Sequence, residues 1–188
     1  MLYEKDVFYD SDCLVCFLAV RQCGILQQLF SKVIVPLVVK EEILDRGTPQ
    51  YIKDSFNDLI ELDFVEIREM EILSNEYDFY DELKKEYPGV GDGEAAVIAL
   101  VHENGGVIAS NNLRDVRDPI EKYDLNWITA AYILAMAYEN RIKSQEELDE
   151  IWQDMLQCGR KRSLPKVNSF TQYYDSLYLH DMQFMGLN

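Results

Sequence analysis

The chain has 188 residues, of which 48% are hydrophobic and only 9 are glycine and 5 proline. This composition is typical of one globular domain with a sizeable core, and it argues against disorder, collagen and repeat arrays. With 34 acidic and 18 basic residues the net charge is −16, so a broad phosphate-binding surface is not expected. Contact with nucleic acid would therefore depend on bound metal ions, a local basic cluster or a partner.

The sequence contains no apolar run of about 18 residues, and its N-terminal segment carries acids where a signal peptide carries an apolar stretch. We therefore predict a cytoplasmic protein without a membrane segment. Cys13, Cys16 and Cys23 fall in one apolar helical segment, apart from Cys158. Core thiols are the simpler interpretation, and a Cys13–Cys16 redox pair is the alternative.

Short β-type runs alternate with helical runs along the chain, which is the pattern of an α/β domain. The predicted strands are Val7–Tyr9, Lys32–Val35, Phe64–Arg68, Val107–Ser110 and Asn126–Ile128. Pro36 fits the first turn of the helix after the second strand. Asp92 is predicted to cap a buried helix over Gly93–Glu103. The stretch from Pro49 to Tyr87 is predicted as helix, strand and helix.

The character of the sequence changes near its C-terminal end. A buried helix is predicted after Thr129, followed by a helix that begins at a capping box of Ser144 and Glu147. From Gly159 the chain is first basic, in GRKRSLPK, and then polar with scattered aromatic side chains. We therefore divide it into a domain over residues 1–158 and a C-terminal basic and aromatic arm over residues 159–188.

Acidic and amide side chains lie near the ends of several predicted strands. They are Asp10 and Asp12 after the first strand, Glu41 and Glu42 after the second, Asp92 and Glu94 ahead of the fourth, and Asn111, Asn112 and Asp115 after it. Ligands of open α/β sheets bind where the carboxyl ends of the strands converge, and these oxygen donors suit Mg²⁺ or Mn²⁺. Each acid taken singly is more simply a cap or turn residue, but a buried acid is costly unless it is paired or liganded.

Four landmarks in this order resemble the PIN-domain family of small metal-dependent nucleases, which includes the VapC toxins of bacterial toxin–antitoxin pairs. They are VFYDSDCLV, VIVPLVVKEEIL, GDGEAAVIAL and VIASNNLRDV, and they lie between Val7 and Ile128. The resemblance implies a three-layer α/β/α sandwich with a central, mostly parallel sheet and an acidic site at the carboxyl ends of the strands. It also implies metal-assisted hydrolysis of single-stranded RNA.

The family pattern can be carried over residue by residue. Asp10 matches the first acid, and Glu42 matches the second, with Glu41 as the alternative register. Glu94 matches the third acid, and Ser110 matches the small hydroxyl residue after the fourth strand.

The pattern departs from the family at Asn112, which stands where a fourth Asp is usual, and the next acid is Asp115. An Asn oxygen can still bind a metal, but the exchange removes one negative charge from the site. The resemblance thus implies a set of catalytic acids, a set of ligands for Mg²⁺ or Mn²⁺ and a set of supporting residues. The catalytic acids are Asp10, Glu42, Glu94 and Asp115, the ligands are these four with Asn112, and the supporting residues are Asp12, Asp92 and Ser110.

Partners can also be proposed at this stage. The basic run Arg160, Lys161, Arg162 and Lys166 is the candidate contact for RNA phosphates, and a helix end that carries cations is the simpler interpretation. The acidic surface suits a basic protein partner such as an antitoxin-like peptide. A homodimer follows from analogy with the family alone.

Two other functions compete with the nuclease. The segment DSDCLV is close to the first motif of haloacid-dehalogenase phosphatases, but the acidic loop of that family belongs after a later strand, and here GDGE precedes VIAS. The second alternative is a PIN-like binding module whose weakened site no longer cuts, which Asn112 and the net charge of −16 favour. The presence of acidic residues in all four landmark segments favours the nuclease over the binding module.

Overall fold

A computed structural model describes residues 3–159 and 163–179 of the chain. Within these residues five strands form one sheet with the order β3-β2-β1-β4-β5, and all neighbours pair in parallel. The strands are β1 (Val7–Tyr9), β2 (Val33–Pro36), β3 (Val65–Arg68), β4 (Val107–Ala109) and β5 (Trp127–Ile128). The helices are α1 (Ser11–Ala19), α2 (Cys23–Leu29), α3 (Leu37–Ile43), α4 (Gln50–Glu61), α5 (Asn75–Glu86), α6 (Asp92–Asn104), α7 (Leu113–Lys122), α8 (Ala130–Glu139), α9 (Gln145–Gln157) and α10 (Phe170–Leu179).

The predicted strands are confirmed, and their ends differ from the observed ends by at most one residue. Two helix starts differ from the prediction. Pro36 pairs with Arg68 as the last residue of β2 and caps α3 from an extended conformation, so it does not lie inside the helix. Helix α6 begins at Asp92 and its cap is Gly91, because the side chain of Glu94 accepts a hydrogen bond from the Gly91 amide.

The strand order places the helices in two layers around the sheet. From β1 the chain moves outward to β2 and β3, and it then crosses back to β4 and β5. Right-handed crossovers put α1 to α4 on one face and α5 to α7 on the other, and α8 and α9 contact α1 on the first face. The α/β/α sandwich is thereby confirmed. The direction of travel reverses between β1 and β4, which is where sheets of this kind bind ligands.

The burial of the strands in the core explains why they appear in the sequence as short apolar runs and not as alternating apolar and polar residues. Strands β1, β2 and β4 are buried along their whole length, as expected for parallel strands covered on both faces. Helix α6 packs against β1, β2 and β4 and is buried from Gly93 to Val101. Gly106, which joins α6 to β4, has a φ of +112°, and a Cβ there would lie 2.7 Å from the Asp6 carbonyl oxygen. Only glycine fits this connection.

The described part of the C-terminal arm packs on the domain. Helix α10 contacts α8 and α9, Phe170 is buried, and the ring of Tyr173 stacks on Trp152 with centroids 5.6 Å apart. The amide and hydroxyl of Thr171 each donate to the Asp149 carboxylate over 2.8 Å. The division of the chain at residue 158 stays a prediction.

Two smaller expectations concern cysteines and membranes. All four cysteines are free thiols, and Cys13 and Cys16 are buried in α1, as core thiols should be. Among the helices of the described ranges, none combines the length and the apolar character needed to cross a bilayer.

Candidate functional site

Asp10 is held at the point where β1 passes into α1. Its amide donates to the Ala109 carbonyl of β4 over 2.9 Å, and its Oδ1 accepts from the Ser11 amide over 2.7 Å, which caps α1. The Ser110 hydroxyl donates to Asp10 Oδ2 over 3.3 Å. The side chain is only 3% exposed, and burial raises its pKa well above the ordinary value, with the carboxylates of Asp12 and Glu94 adding to the effect. The surroundings of Asp10 therefore destabilise its charged form.

Glu94 reaches the same region from the first turn of α6. Its Oε2 accepts from the Gly91 amide over 2.8 Å, and its Oε1 accepts from the Asn112 side-chain amide over 2.5 Å. Burial raises the pKa of Glu94, the contacts with Gly91 and Asn112 oppose this, and the charges of Asp115 and Asp12 raise it further. Two nearly buried carboxylates, from β1 and α6, thus repel each other across one site.

The residues after β4 connect these acids. The backbone amide of Asn112 donates to the Ser110 hydroxyl oxygen over 3.3 Å, so Ser110 links Asp10 to the cap of α7. Nδ2 of Asn112 also donates to Asp115 Oδ2 over 2.8 Å. The one amide therefore bridges the carboxylates of Glu94 and Asp115.

Asn111 joins three segments at the site, a linking role that the sequence analysis did not assign to it. Its backbone amide donates to Asp12 Oδ1 over 3.2 Å, and its Oδ1 accepts from the Ala130 amide over 2.8 Å. The position directly after a buried strand and before α7 was the available signal. Asn111 fixes the relative positions of α1, β4 and α8.

Helix α3, which follows the second strand, contributes Glu42 to the site. A Cβ built on Gly93 would lie 2.8 Å from Glu42 Oε1 and 3.0 Å from a methyl carbon of Val39, so the Glu42 carboxylate rests on the first turn of α6. Glu41, the alternative register, lines a separate depression beside Arg68. The structure thus places Glu42, and not Glu41, with the other acids.

These side chains line an open cleft of about 840 Å³ at the carboxyl ends of β1 and β4. Its acidic residues are Asp10, Asp12, Glu42, Glu94 and Asp115. Three glycines, Gly89, Gly91 and Gly93, form part of the wall and leave the backbone open to a ligand. Of the acids expected to converge, these five line the cleft, whereas Glu41 and Asp92 do not, and Ser110 is buried.

Asp92 takes a different position from the other acids. Its Oδ1 lies 2.9 Å from Lys84 Nζ and accepts from the Tyr80 hydroxyl over 3.3 Å, while Lys84 also donates to the Val90 carbonyl over 2.6 Å. The Lys84 ammonium holds the pKa of Asp92 below its ordinary value. Asp92 therefore ties α5 to the loop ahead of Glu94 and does not line the cleft.

Two positively charged side chains from different segments line the cleft. Arg114, in the first turn of α7, and Lys166, in the segment between α9 and α10, both line it. Lys166 belongs to the basic run predicted to contact RNA phosphates, and the rest of that run, Arg160, Lys161 and Arg162, lies outside the described residues. Arg114 was missed because its direction depends on how α7 is rotated about its axis, which the sequence pattern does not reveal.

The donor atoms that line this cleft are of the chemical type that binds a divalent cation. Carboxylate oxygens are the ligands that Mg²⁺ and Mn²⁺ prefer, and a cation would offset the burial and the repulsion that together raise the pKa of Asp10. In the present conformation, however, no three Asp, Glu, His or Cys side chains of the described ranges converge closely enough to hold an ion. The Asn112 amide, a hydrogen-bond donor, stands between Glu94 and Asp115 instead.

Comparison with known proteins identifies the family. A family model described as a PIN domain matches residues 6–170, which span β1 to the start of α10 and include every acid of the cleft. No curated protein matches the chain. PIN domains are generally nucleases. The chain therefore belongs to the PIN-domain family.

Proposed function

We propose that the chain is a divalent-metal-dependent endoribonuclease that hydrolyses phosphodiester bonds of single-stranded RNA. The observation that carries the proposal is the pair Asp10 and Glu94. Both carboxylates are nearly buried and both line one open cleft, and burial raises the pKa of Asp10, with the nearby carboxylates of Asp12 and Glu94 raising it further. Buried acids that repel one another are expensive unless they are liganded, so a cation is the simplest reason to keep them.

The acids of the cleft share one role in this proposal. Asp10, Glu42, Glu94 and Asp115 would hold Mg²⁺ or Mn²⁺, together with the Oδ1 oxygen of Asn112. Bound metal supplies an activated water and stabilises the charge that develops on the leaving oxygen.

The surrounding residues would fix the orientation of these ligands. The Ser110 hydroxyl directs Oδ2 of Asp10, and the Gly91 amide directs Oε2 of Glu94. Asn111 holds the backbone around Asp12, and Lys84 with Asp92 holds the loop that carries Gly91. Supporting contacts of this kind set the precision of metal ligands.

The biological setting rests on the family resemblance alone. We propose the toxin of a toxin–antitoxin pair, acting in the cytoplasm, with an antitoxin-like or other basic protein as partner and a homodimer as the assembly. The net charge of −16 supports a basic partner.

A binding module without activity is the second candidate, and Asn112 favours it. The amide replaces one negative charge and bridges Glu94 to Asp115, which lowers the demand for a cation. The phosphatase alternative has no remaining support, because the chain is a PIN domain.

Cleavage of a labelled single-stranded RNA of mixed sequence separates the two candidates. We expect purified protein to cut in Mn²⁺, and we expect cutting to stop in EDTA and in the Asp10→Asn variant. Asp118→Asn is the matched control, since Asp118 is exposed on α7 and does not line the cleft. A folded wild type that neither cuts RNA nor binds Mn²⁺ more tightly than Glu94→Gln would favour the binding module.

A further inference from the structure

The cleft that holds the buried acids is also lined by two cationic residues. Arg114 and Lys166 are both exposed and both line the cleft, although the chain as a whole carries a net charge of −16. Within the described ranges neither side chain forms an ion pair, whereas the neighbouring cation Arg117 lies 3.7 Å from Glu121. These two charges are therefore available to an anionic ligand.

Arg114 is fixed close to the acids by the start of α7. It follows the cap residue Asn112 by two positions and precedes Asp115, so its backbone lies within one turn of both. A guanidinium presents paired donors that match two phosphate oxygens, and it keeps its charge at any physiological pH. Arg114 is thus suited to bind a phosphate beside the acidic site.

Lys166 is carried by a segment that is itself anchored to the fold. Leu164 and Phe170, on either side of it, are buried, and the Trp152 indole donates to the Val167 carbonyl over 3.4 Å. The Gln153 side chain donates to the Asn168 carbonyl. The packed segment between α9 and α10 therefore presents Lys166 to the cleft at a defined position.

We propose that Arg114 and Lys166 contact backbone phosphates of a single-stranded polynucleotide that is bound in this cleft over the acids. This inference rests on the proposed nuclease function and adds two phosphate contacts, one from α7 and one from the segment 163–169. None of the described residues that line the cleft is aromatic, so these contacts read the phosphate backbone and not the bases.

Binding of a fluorescent single-stranded RNA, measured by anisotropy in EDTA over a series of salt concentrations, tests the inference without cleavage. Arg114→Ala and Lys166→Ala should each weaken binding several-fold for every sequence. Each should also lower the slope of log affinity against log salt by about 0.7, the value for one lost contact with single-stranded nucleic acid. Arg114→Lys should keep the slope. Arg117→Ala, on the same helix and outside the cleft, should bind like the wild type.

Two results overturn the inference. Equal affinity and equal salt slope in Arg114→Ala, Lys166→Ala and Arg117→Ala would show that the cleft cations do not touch the strand. Wild-type protein that binds no RNA at low salt would do the same. If either result is found together with Mn²⁺-dependent cleavage, the proposed function stands and only the phosphate contacts are wrong. If RNA binding shows the expected losses in Arg114→Ala and Lys166→Ala but the wild type does not cleave RNA, the nuclease proposal is contradicted and the phosphate contacts are supported.

Discussion

The side-chain amide of Asn112 lies 2.5 Å from Oε1 of Glu94, in the place where a PIN domain usually has a fourth carboxylate. An amide donor neutralises part of the repulsion between the acids without a cation, and it also withholds one ligand charge. This single contact therefore bears both on the stability of the protein without metal and on the proposed binding of Mg²⁺ or Mn²⁺ in the cleft.

Replacing Asn112 with Asp should separate these two effects. In EDTA, Asn112→Asp removes the bridge and adds a charge beside Glu94 and Asp115, so we expect about 1–3 kcal/mol less stability in urea unfolding. In calorimetric titration with Mn²⁺ the same variant should bind at least about tenfold more tightly, which corresponds to about 1.4 kcal/mol. Asn57→Asp, on the exposed side of α4, controls for added charge. Unchanged Mn²⁺ affinity in Asn112→Asp would show that Asn112 does not adjoin a metal site.

Gly93 should matter for the position of Glu42 and little for folding. A Cβ would approach Glu42 Oε1 to 2.8 Å, so Gly93→Ala must displace that carboxylate, while alanine improves helix propensity by about 1 kcal/mol. We expect RNA cleavage to fall by about tenfold or more with little change in the free energy of unfolding. Gly89→Ala is the control, because Gly89 also lines the cleft and nothing lies within 4 Å of its Cβ position. Equal cleavage by the two variants would remove Glu42 from the catalytic set.

The buried Asp10 carboxyl predicts an unusual dependence of stability on pH. Its pKa in the folded protein is raised by burial, so the folded state binds its proton more tightly than the unfolded chain, where the ordinary value is 3.8. Stability therefore falls as pH rises from about 3.8 through the raised value, and the charged form is the destabilised one. We expect Asp10→Asn to melt at a higher temperature than the wild type at pH 7 in EDTA.

The same variant supplies the check on that interpretation. The advantage of Asp10→Asn should shrink as the pH is lowered toward 4, because Asp10 of the wild type is then protonated, and Asn still caps α1. Melting followed by circular dichroism from pH 4 to pH 7 measures it. A variant that is destabilised equally at both pH values would make the Asp10 carboxylate a purely structural cap.

Leu73 offers a test of the fold that does not involve the cleft. Its side chain is 88% exposed and its φ is +76°, a conformation that costs a branched residue about 1 kcal/mol and that Asn adopts more readily. Leu73→Asn should therefore raise the free energy of unfolding by up to about 1 kcal/mol in urea. A loss of more than about 1 kcal/mol would mean that the Leu73 side chain is packed.

Much of the architecture was readable from the sequence because parallel strands buried on both faces appear as short apolar runs. Tyr9 and Asp10 mark the end of β1 without ambiguity, and the predicted strand ends shift by no more than one residue elsewhere. The start of α6 was harder, since both Gly91 and Asp92 are acceptable caps. The contact from the Gly91 amide to Glu94, which decides between them, exists only once the turn has formed.

The candidate site was readable only in part. Its acids could be placed at strand ends from the chain order, but the choice between Glu41 and Glu42 depends on which face α3 turns toward Gly93. The separation of Asp92 from the cleft depends on Lys84, a residue of another helix. Tertiary contacts of this kind leave no periodic trace in the sequence.

The most direct test of the nuclease proposal is the single-turnover rate of cleavage of a labelled single-stranded RNA in Mn²⁺ by Glu94→Gln and by Glu61→Gln. The two variants lose the same charge, but Glu94 lines the cleft and Glu61 lies exposed at the end of α4. The account predicts a fall of at least about a hundredfold, or about 2.7 kcal/mol, in Glu94→Gln and a rate like the wild type in Glu61→Gln. Equal rates in the two variants, or cleavage by the wild type that persists in EDTA, would contradict it.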